Sequence, residues 1–132
     1  MIAYDIITFM CKYIVVGFYD IFAGLDGNYR GQVLGYILED LKEIADWFST
    51  QQLLQFRGSS LLIVFESDKD RLTSLLSEPT SCRSNIVQVK MIDFVHVWES
   101  PILDCNYIDG LNSVIHYFTS LTHLFSNSSN CS

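Results

Sequence analysis

Apolar residues recur at three- and four-residue steps in two separate stretches of the chain. Leu34, Ile37, Leu38, Leu41, Ile44, Ala45 and Phe48 form the first series, with Glu39, Asp40, Lys42, Glu43 and Asp46 on the opposite side. That spacing lines one face of a 3.6-residue helix, which should fray near Thr50 to Gln52. Ile108, Leu111, Ile115, Phe118, Leu121 and Phe125 form the second series, entered through Asp104 to Tyr107, where an Asp and an Asn suit a helix cap. Between the two lie short apolar runs, Ser59 to Glu66 (SSLLIVFE) and Ile86 to Phe94 (IVQVKMIDF). Their length and Ile, Val and Phe content predict strands, the first buried on both faces. Along the second, Val87, Val89, Met91 and Asp93 point one way, and Ile86, Gln88, Lys90, Ile92 and Phe94 the other. An antiparallel pair is the simplest arrangement. Residues 67–85 are polar and Ser-rich, with Pro79 and the charge run Asp68-Lys69-Asp70-Arg71, and predict a long mobile loop. Gly24 to Gly31 (GLDGNYRG) reads as a turn. Helix, strand, strand, helix makes the fold class α+β, with no internal repeat.

The ends are less regular. Residues 1–24 are strongly apolar, yet Asp5, Lys12 and Asp20 interrupt them and no basic segment precedes them. A charge near the middle of a bilayer costs about 2.5–3.5 kcal/mol, so membrane association is disfavoured. A buried strand or helix, or a stretch outside the domain, remains; the residues from 13 to 22 lean towards β. The division expected is 1–32 as an uncertain apolar segment, 33–125 as the domain and 126–132 as a disordered tail.

With 132 residues, 49% of them hydrophobic and 14% aromatic, the chain can build the core of one domain or a piece of one. A net charge of −7 with no Lys/Arg cluster excludes a binder of the nucleic-acid backbone. Cys11, Cys82, Cys105 and Cys131 form no C-x-x-C pair and no zinc spacing. They read as reduced thiols of a cytoplasmic or nuclear protein. The two glycosylation sequons, at Asn127 and Asn130, fall in the tail and are taken as accidental. His116 and His123 lack a third ligand at metal spacing and read as structural.

Asp93 is the residue that asks for an explanation. A carboxylate among apolar neighbours needs a cation or hydrogen-bond donors. It either caps the turn after its strand or meets a ligand there, and a hard divalent cation such as Mg²⁺ suits an oxygen donor.

Three blocks decide between these. Ser59-Ser60-Leu61-Leu62, Ile92-Asp93-Phe94, and Asp104-Cys105-Asn106-Tyr107-Ile108-Asp109-Gly110-Leu111 occur in that order. Together they resemble the SLL, IDF and D-x-N/G-Y-x-x-G-L motifs in the C-terminal half of the inositol polyphosphate kinases, over about residues 33 to 125. The short spacing from Asp93 to Asp104 and the histidine in IDFVH look most like the multikinase branch, and hexakisphosphate kinases share that histidine. The resemblance implies part of a protein-kinase-like C-terminal lobe and phosphoryl transfer from ATP to an inositol polyphosphate. It implies that Asp93 holds the Mg²⁺ of the nucleotide and that His96 contacts a substrate phosphate, the alternative for His96 being packing beside Trp98. Ser59, Ser60 and Leu61 are implied to shape the cleft floor. Asp104 and Asn106 cap the last helix, and Lys90 is a solvated face residue. The family's P-x-x-x-D-x-K-x-G motif is not found in the chain, so no catalytic residue is assigned. The expectation is therefore a C-terminal portion of a kinase, monomeric and inactive by itself. The competing readings are a non-catalytic fragment that binds a partner through an apolar surface, and a small membrane-associated protein.

Overall fold

The computed structural model describes residues 4–10 and 18–128, the former, with Phe18, as backbone alone. The part of the apolar run at 13–17, and residues 129–132 of the expected tail, lie outside the described residues.

The elements run β1 (Tyr4–Met10), α1 (Phe18–Ala23), α2 (Gly27–Thr50), β2 (Leu54–Arg57), β3 (Ser60–Glu66), α3 (Lys69–Ser77), a 3₁₀ turn (Arg83–Asn85), β4 (Val87–Ile92), β5 (His96–Glu99) and α4 (Cys105–Ser128). Residues 18–22, which leaned towards β by composition, are helical. Arg30 explains how so short a helix ends. It donates to the carbonyls of Phe22, Ala23 and Leu25 at 2.7, 3.1 and 2.9 Å, satisfying acceptors that α1 leaves unpaired.

Helix α2 starts inside the expected turn, because Asp26 caps it by accepting from the Asn28 N–H at 3.0 Å. It ends at Thr50, as the periodicity predicted. The Gln51 side chain then accepts from the Leu53 and Leu54 N–H groups and donates to the Leu54 carbonyl, which fixes the entry into β2. Segment 67–85 is corrected. Asp68 accepts from the Arg71 N–H at 2.8 Å and starts α3, whose Leu72 is fully buried. The charge run expected to be loop is the first turn of that helix. Glu66, itself buried, accepts from the Asp68 N–H at 3.0 Å and meets the Arg71 guanidinium at 2.9 Å. Helix α4 continues through Ser128, past the last apolar position, Phe125.

Strands β1, β3 and β4 form an antiparallel sheet in that order, and β2 and β5 form a separate antiparallel pair. The expected pairing of the two central strands is therefore present, with Ser60 opposite Ile92 and Phe65 opposite Val87. Strand β3 is not buried equally on both faces. Leu61, Ile63 and Phe65 are sealed in the core, whereas Leu62 and Val64 are half-buried. The sealed face, with Val87 and Val89 of β4, packs under Val33, Leu34, Ile37, Leu41 and Phe48 of α2 and Leu111, Val114 and Phe118 of α4. Aromatic contacts knit the layers. Phe22 stacks on Phe65 with centroids 5.0 Å apart and meets Phe118 edge-on at 5.8 Å. Phe48 stacks on Tyr107 at 4.3 Å, which ties α2 to the start of α4.

Candidate functional site

The stretch from Val87 to Glu99 is not one strand. It pairs with β3 as far as Ile92, breaks, and resumes pairing with β2 at His96. Between the pairs Arg57–His96 and Ser60–Ile92, two residues (Gly58, Ser59) face three (Asp93, Phe94, Val95). The extra residue is a β-bulge, a device that bends a ribbon and re-aims side chains. Both sides of the bend carry a left-handed residue, Gly58 at φ 70° and Asp93 at φ 65°. Asp93 is the only non-glycine residue of that kind among the described residues. Such a conformation costs an L-residue about 1–3 kcal/mol and collects at functional positions.

This geometry corrects the alternation expected for Asp93. It does not lie on the buried face of Val87, Val89 and Met91, because the strand ends at Ile92 and the positive φ turns the chain. Its carboxylate is exposed, and no hydrogen bond or ion pair engages it among the described residues. Backbone amides do not seal it, so the turn-capping alternative has no partner here. The β3–β4 ladder ends at Ser60–Ile92, and Ser59 and Asp93 are the next residues along the two segments. Ser59 is 2% exposed, and its hydroxyl has no hydrogen-bond partner. A buried unpaired hydroxyl carries a penalty of about 1–3 kcal/mol and calls for a reason. The register thus brings the SSLL and IDF blocks side by side. Ser60 is buried at the end of the ladder and Leu61 points into the core.

His96 opens β5, exposed and directly opposite Arg57. A Cβ at Gly58 would stand 4.0 Å from its Cδ2. Asp104 does more than the cap expected of it. Oδ1 accepts from the Tyr107 N–H at 3.1 Å, and Oδ2 accepts from the Phe56 N–H at 2.7 Å. Arg57 Nη1 lies 3.4 Å from Oδ1. One buried carboxylate therefore joins the start of α4 to β2. The β2–β5 pairing across from it was missed in the sequence. Gly58, a break before an apolar run, was the signal for a bend there.

A cleft of about 880 Å³ runs along the outer side of β4, with Asp40, Glu43 and Trp47 of α2 on one wall and Phe56 and Phe94 at its end. It stops one residue short of Asp93. At the other end Arg83 pairs with Glu39 and Asp40. Burial raises the Asp40 carboxyl above its ordinary value, and the Arg83 charge and the Val89 N–H at 3.2 Å oppose that rise. No trio of His, Cys, Asp or Glu able to enclose a metal ion exists among the described residues. No helix among them is long and apolar enough to cross a membrane.

The profile of the family described as inositol polyphosphate kinase matches residues 12–119. Inositol polyphosphate multikinase beta of Arabidopsis thaliana is 33% identical over 86 residues, covering 64% of this chain and 27% of that protein. Inositol polyphosphate multikinase IPK2 of Oryza sativa subsp. indica is 30% identical over 84 residues, covering 63% and 27%. Among solved structures, an inositol phosphate multikinase studied by protein engineering is 30% identical, with a TM-score of 0.50 over 64% of this chain and 33% of its own. The crystal structure of inositol phosphate multikinase Ipk2 from S. cerevisiae, in complex with ADP and Mn²⁺, has a TM-score of 0.64 at 20% identity, over 83% of this chain and 47% of its own. The chain spans about a quarter of the length of the curated relatives it matches. With the family profile covering most of the sequence, and the SSLL and IDF blocks meeting at one bulge, the chain belongs to the inositol polyphosphate kinase family.

Proposed function

We propose that this chain supplies the metal–nucleotide end of an ATP-dependent inositol phosphate kinase, with an inositol polyphosphate as acceptor. The exposed carboxylate of Asp93, held at φ 65° in the bulge, carries this reading. Mg²⁺ keeps several waters and takes only one or two protein carboxylates, binding substrate phosphates with the rest of its coordination shell. One free, exposed carboxylate fits that demand, and the absence of an enclosing trio among the described residues does not oppose it. The ADP and Mn²⁺ bound to the S. cerevisiae relative support the same chemistry. A bound divalent cation neutralises charge on the transferring phosphoryl group.

Asp93, held at φ 65° and exposed, would supply the anionic oxygen ligand. His96, three residues on and exposed, donates a hydrogen bond to a phosphate of the acceptor. Ser59, Ser60 and Leu61 hold the strand end beneath them. The residues that the family's P-x-x-x-D-x-K-x-G motif would contribute to acceptor activation are not in this sequence. The 132-residue chain assayed alone with ATP, Mg²⁺ and inositol polyphosphates is expected to form no product.

Binding is the sharper test. Mn²⁺·ADP should broaden the NMR amide signals of Asp93 and Phe94, and Asp93→Asn should remove that broadening. Broadening centred elsewhere, or unchanged in the variant, would overturn the assignment.

A further inference from the structure

The outer ribbon holds a cation that the reading above leaves unused. Arg57 and His96 are cross-strand partners in β2–β5, so their side chains leave the same face. The Arg57 side chain is 45% exposed. Its Nη1 makes the inward contacts, to the Phe56 carbonyl at 3.1 Å and to Asp104 at 3.4 Å. Nε and Nη2 make no hydrogen bond among the described residues. The guanidinium carbon lies 5.4 Å from the ring centroid of Trp98, an exposed residue on the same strand as His96. An aromatic plane on one side and a buried carboxylate behind hold the fork in place while its outer donors stay open.

The other arginines differ. Arg30 spends its donors on three carbonyls, Arg71 meets Glu66, and Arg83 spans Glu39 and Asp40. In a chain of net charge −7, Arg57 is the arginine whose open outer donors stand across a strand pair from an exposed imidazole. A planar guanidinium with two neighbouring donors matches phosphate oxygens, and an exposed imidazole across the strand adds a third donor.

We propose that Arg57 and His96 form a phosphate-binding pair on the open face of the β2–β5 ribbon, with Trp98 as its backing. The inference deepens the kinase reading and rests on it only for the class of ligand, a phosphate of an inositol polyphosphate or of a nucleotide.

Inositol hexakisphosphate and metal-free ADP are the two probes, titrated into the full chain while the His96 imidazole and Trp98 indole signals are followed by NMR. A response to the first assigns the pair to the inositol phosphate, and a response to the second assigns it to the nucleotide. Arg57→Ala should weaken binding of the responding probe about tenfold, the loss expected for charge-assisted hydrogen bonds. Arg57→Lys should recover part of it, as a point charge without the fork. Lys69→Ala, on the surface pair with Asp26, should leave binding unchanged. Should Arg57→Ala unfold, Arg57→Gln carries the test with the same expected loss. Silence of His96 towards both probes, or unchanged affinity without the guanidinium, overturns the proposal. Asp93→Asn separates the two readings, since it should abolish Mn²⁺·ADP broadening and leave the Arg57-dependent response in place.

Discussion

The two halves of the bent ribbon are made of the same two chain segments and do opposite jobs. The β3–β4 half lies under α2 and α4 and sends Leu61, Ile63, Phe65, Val87 and Val89 into a dry core. The β2–β5 half turns away and displays Arg57, His96 and Trp98 to solvent. One extra residue between Ile92 and His96 separates them. The buried positions keep their parity from Val87 and Val89 of β4 to the half-buried Val97 of β5, but switch it from Leu61, Ile63 and Phe65 of β3 to Phe56 of β2, so the mismatch turns Arg57 outward. A sealed apolar face and an exposed face carrying a cation and aromatic groups thereby fall on adjacent stretches of one ribbon, with Asp93 at the hinge.

The largest expected effect tests the inner half. Phe118→Ala should lower unfolding free energy by about 3–5 kcal/mol in a urea titration, since its ring is fully buried and meets Phe22. Val97→Ala, half-buried in the outer half, should cost much less, and an equal loss would break the comparison. Next comes the latch between the outer half and α4. Asp104→Ala removes the acceptor of two backbone N–H groups and should cost about 1–3 kcal/mol by the same measurement. Asp104→Asn should recover part of it by retaining one carbonyl oxygen.

Asp93→Gly sharpens the comparison in the opposite direction. Glycine adopts φ 65° freely, so this substitution should raise stability by about 1 kcal/mol while removing the carboxylate proposed to hold the metal. Asn tolerates the same conformation, so Asp93→Asn should leave the melting temperature nearly unchanged. A gain in stability with loss of Mn²⁺·ADP broadening identifies strain kept for binding.

The smallest expected effect concerns pH. Burial, the leading influence, raises the Asp40 carboxyl above its ordinary 3.8, so the folded chain holds that proton more tightly than the unfolded one. The Asp40 contribution to stability is therefore complete below 3.8 and declines as pH rises through the raised value. Urea midpoints measured from pH 3 to 7 should show this decline relative to Asp40→Asn; a contribution that grows with pH would refute it.

The sequence disclosed what local periodicity encodes. The three- and four-residue steps located α2 and α4, and Leu34, Ile37, Leu41, Leu111, Phe118 and Leu121 are indeed buried. Short apolar runs located β3 and β4. Helix α3 escaped because only Leu72, Leu75 and Leu76 mark it within a polar stretch, although Asp68 at its cap was visible. Strands β2 and β5 have four residues each, too few for a pattern to emerge. The bulge lay beyond reach for a different reason. It exists only as a mismatch between two segments some 35 positions apart, and neither segment encodes it alone. The motif blocks pointed to Asp93, Ser59 and His96, but not to the break between the two strand pairs that buries Ser59 and exposes the other two. Arg57 stands outside every block, so only its cross-strand partner drew attention to it.

The outward margin of β4 has a consequence for behaviour at high concentration. An exposed sheet edge invites another chain to add a strand. Here the Asp40 carboxylate occupies the Val89 N–H, and exposed Gln88 and Lys90 flank that position. An incoming strand would have to displace a bound anion and crowd an ammonium group, so intermolecular sheet growth along this border is disfavoured without a covering loop.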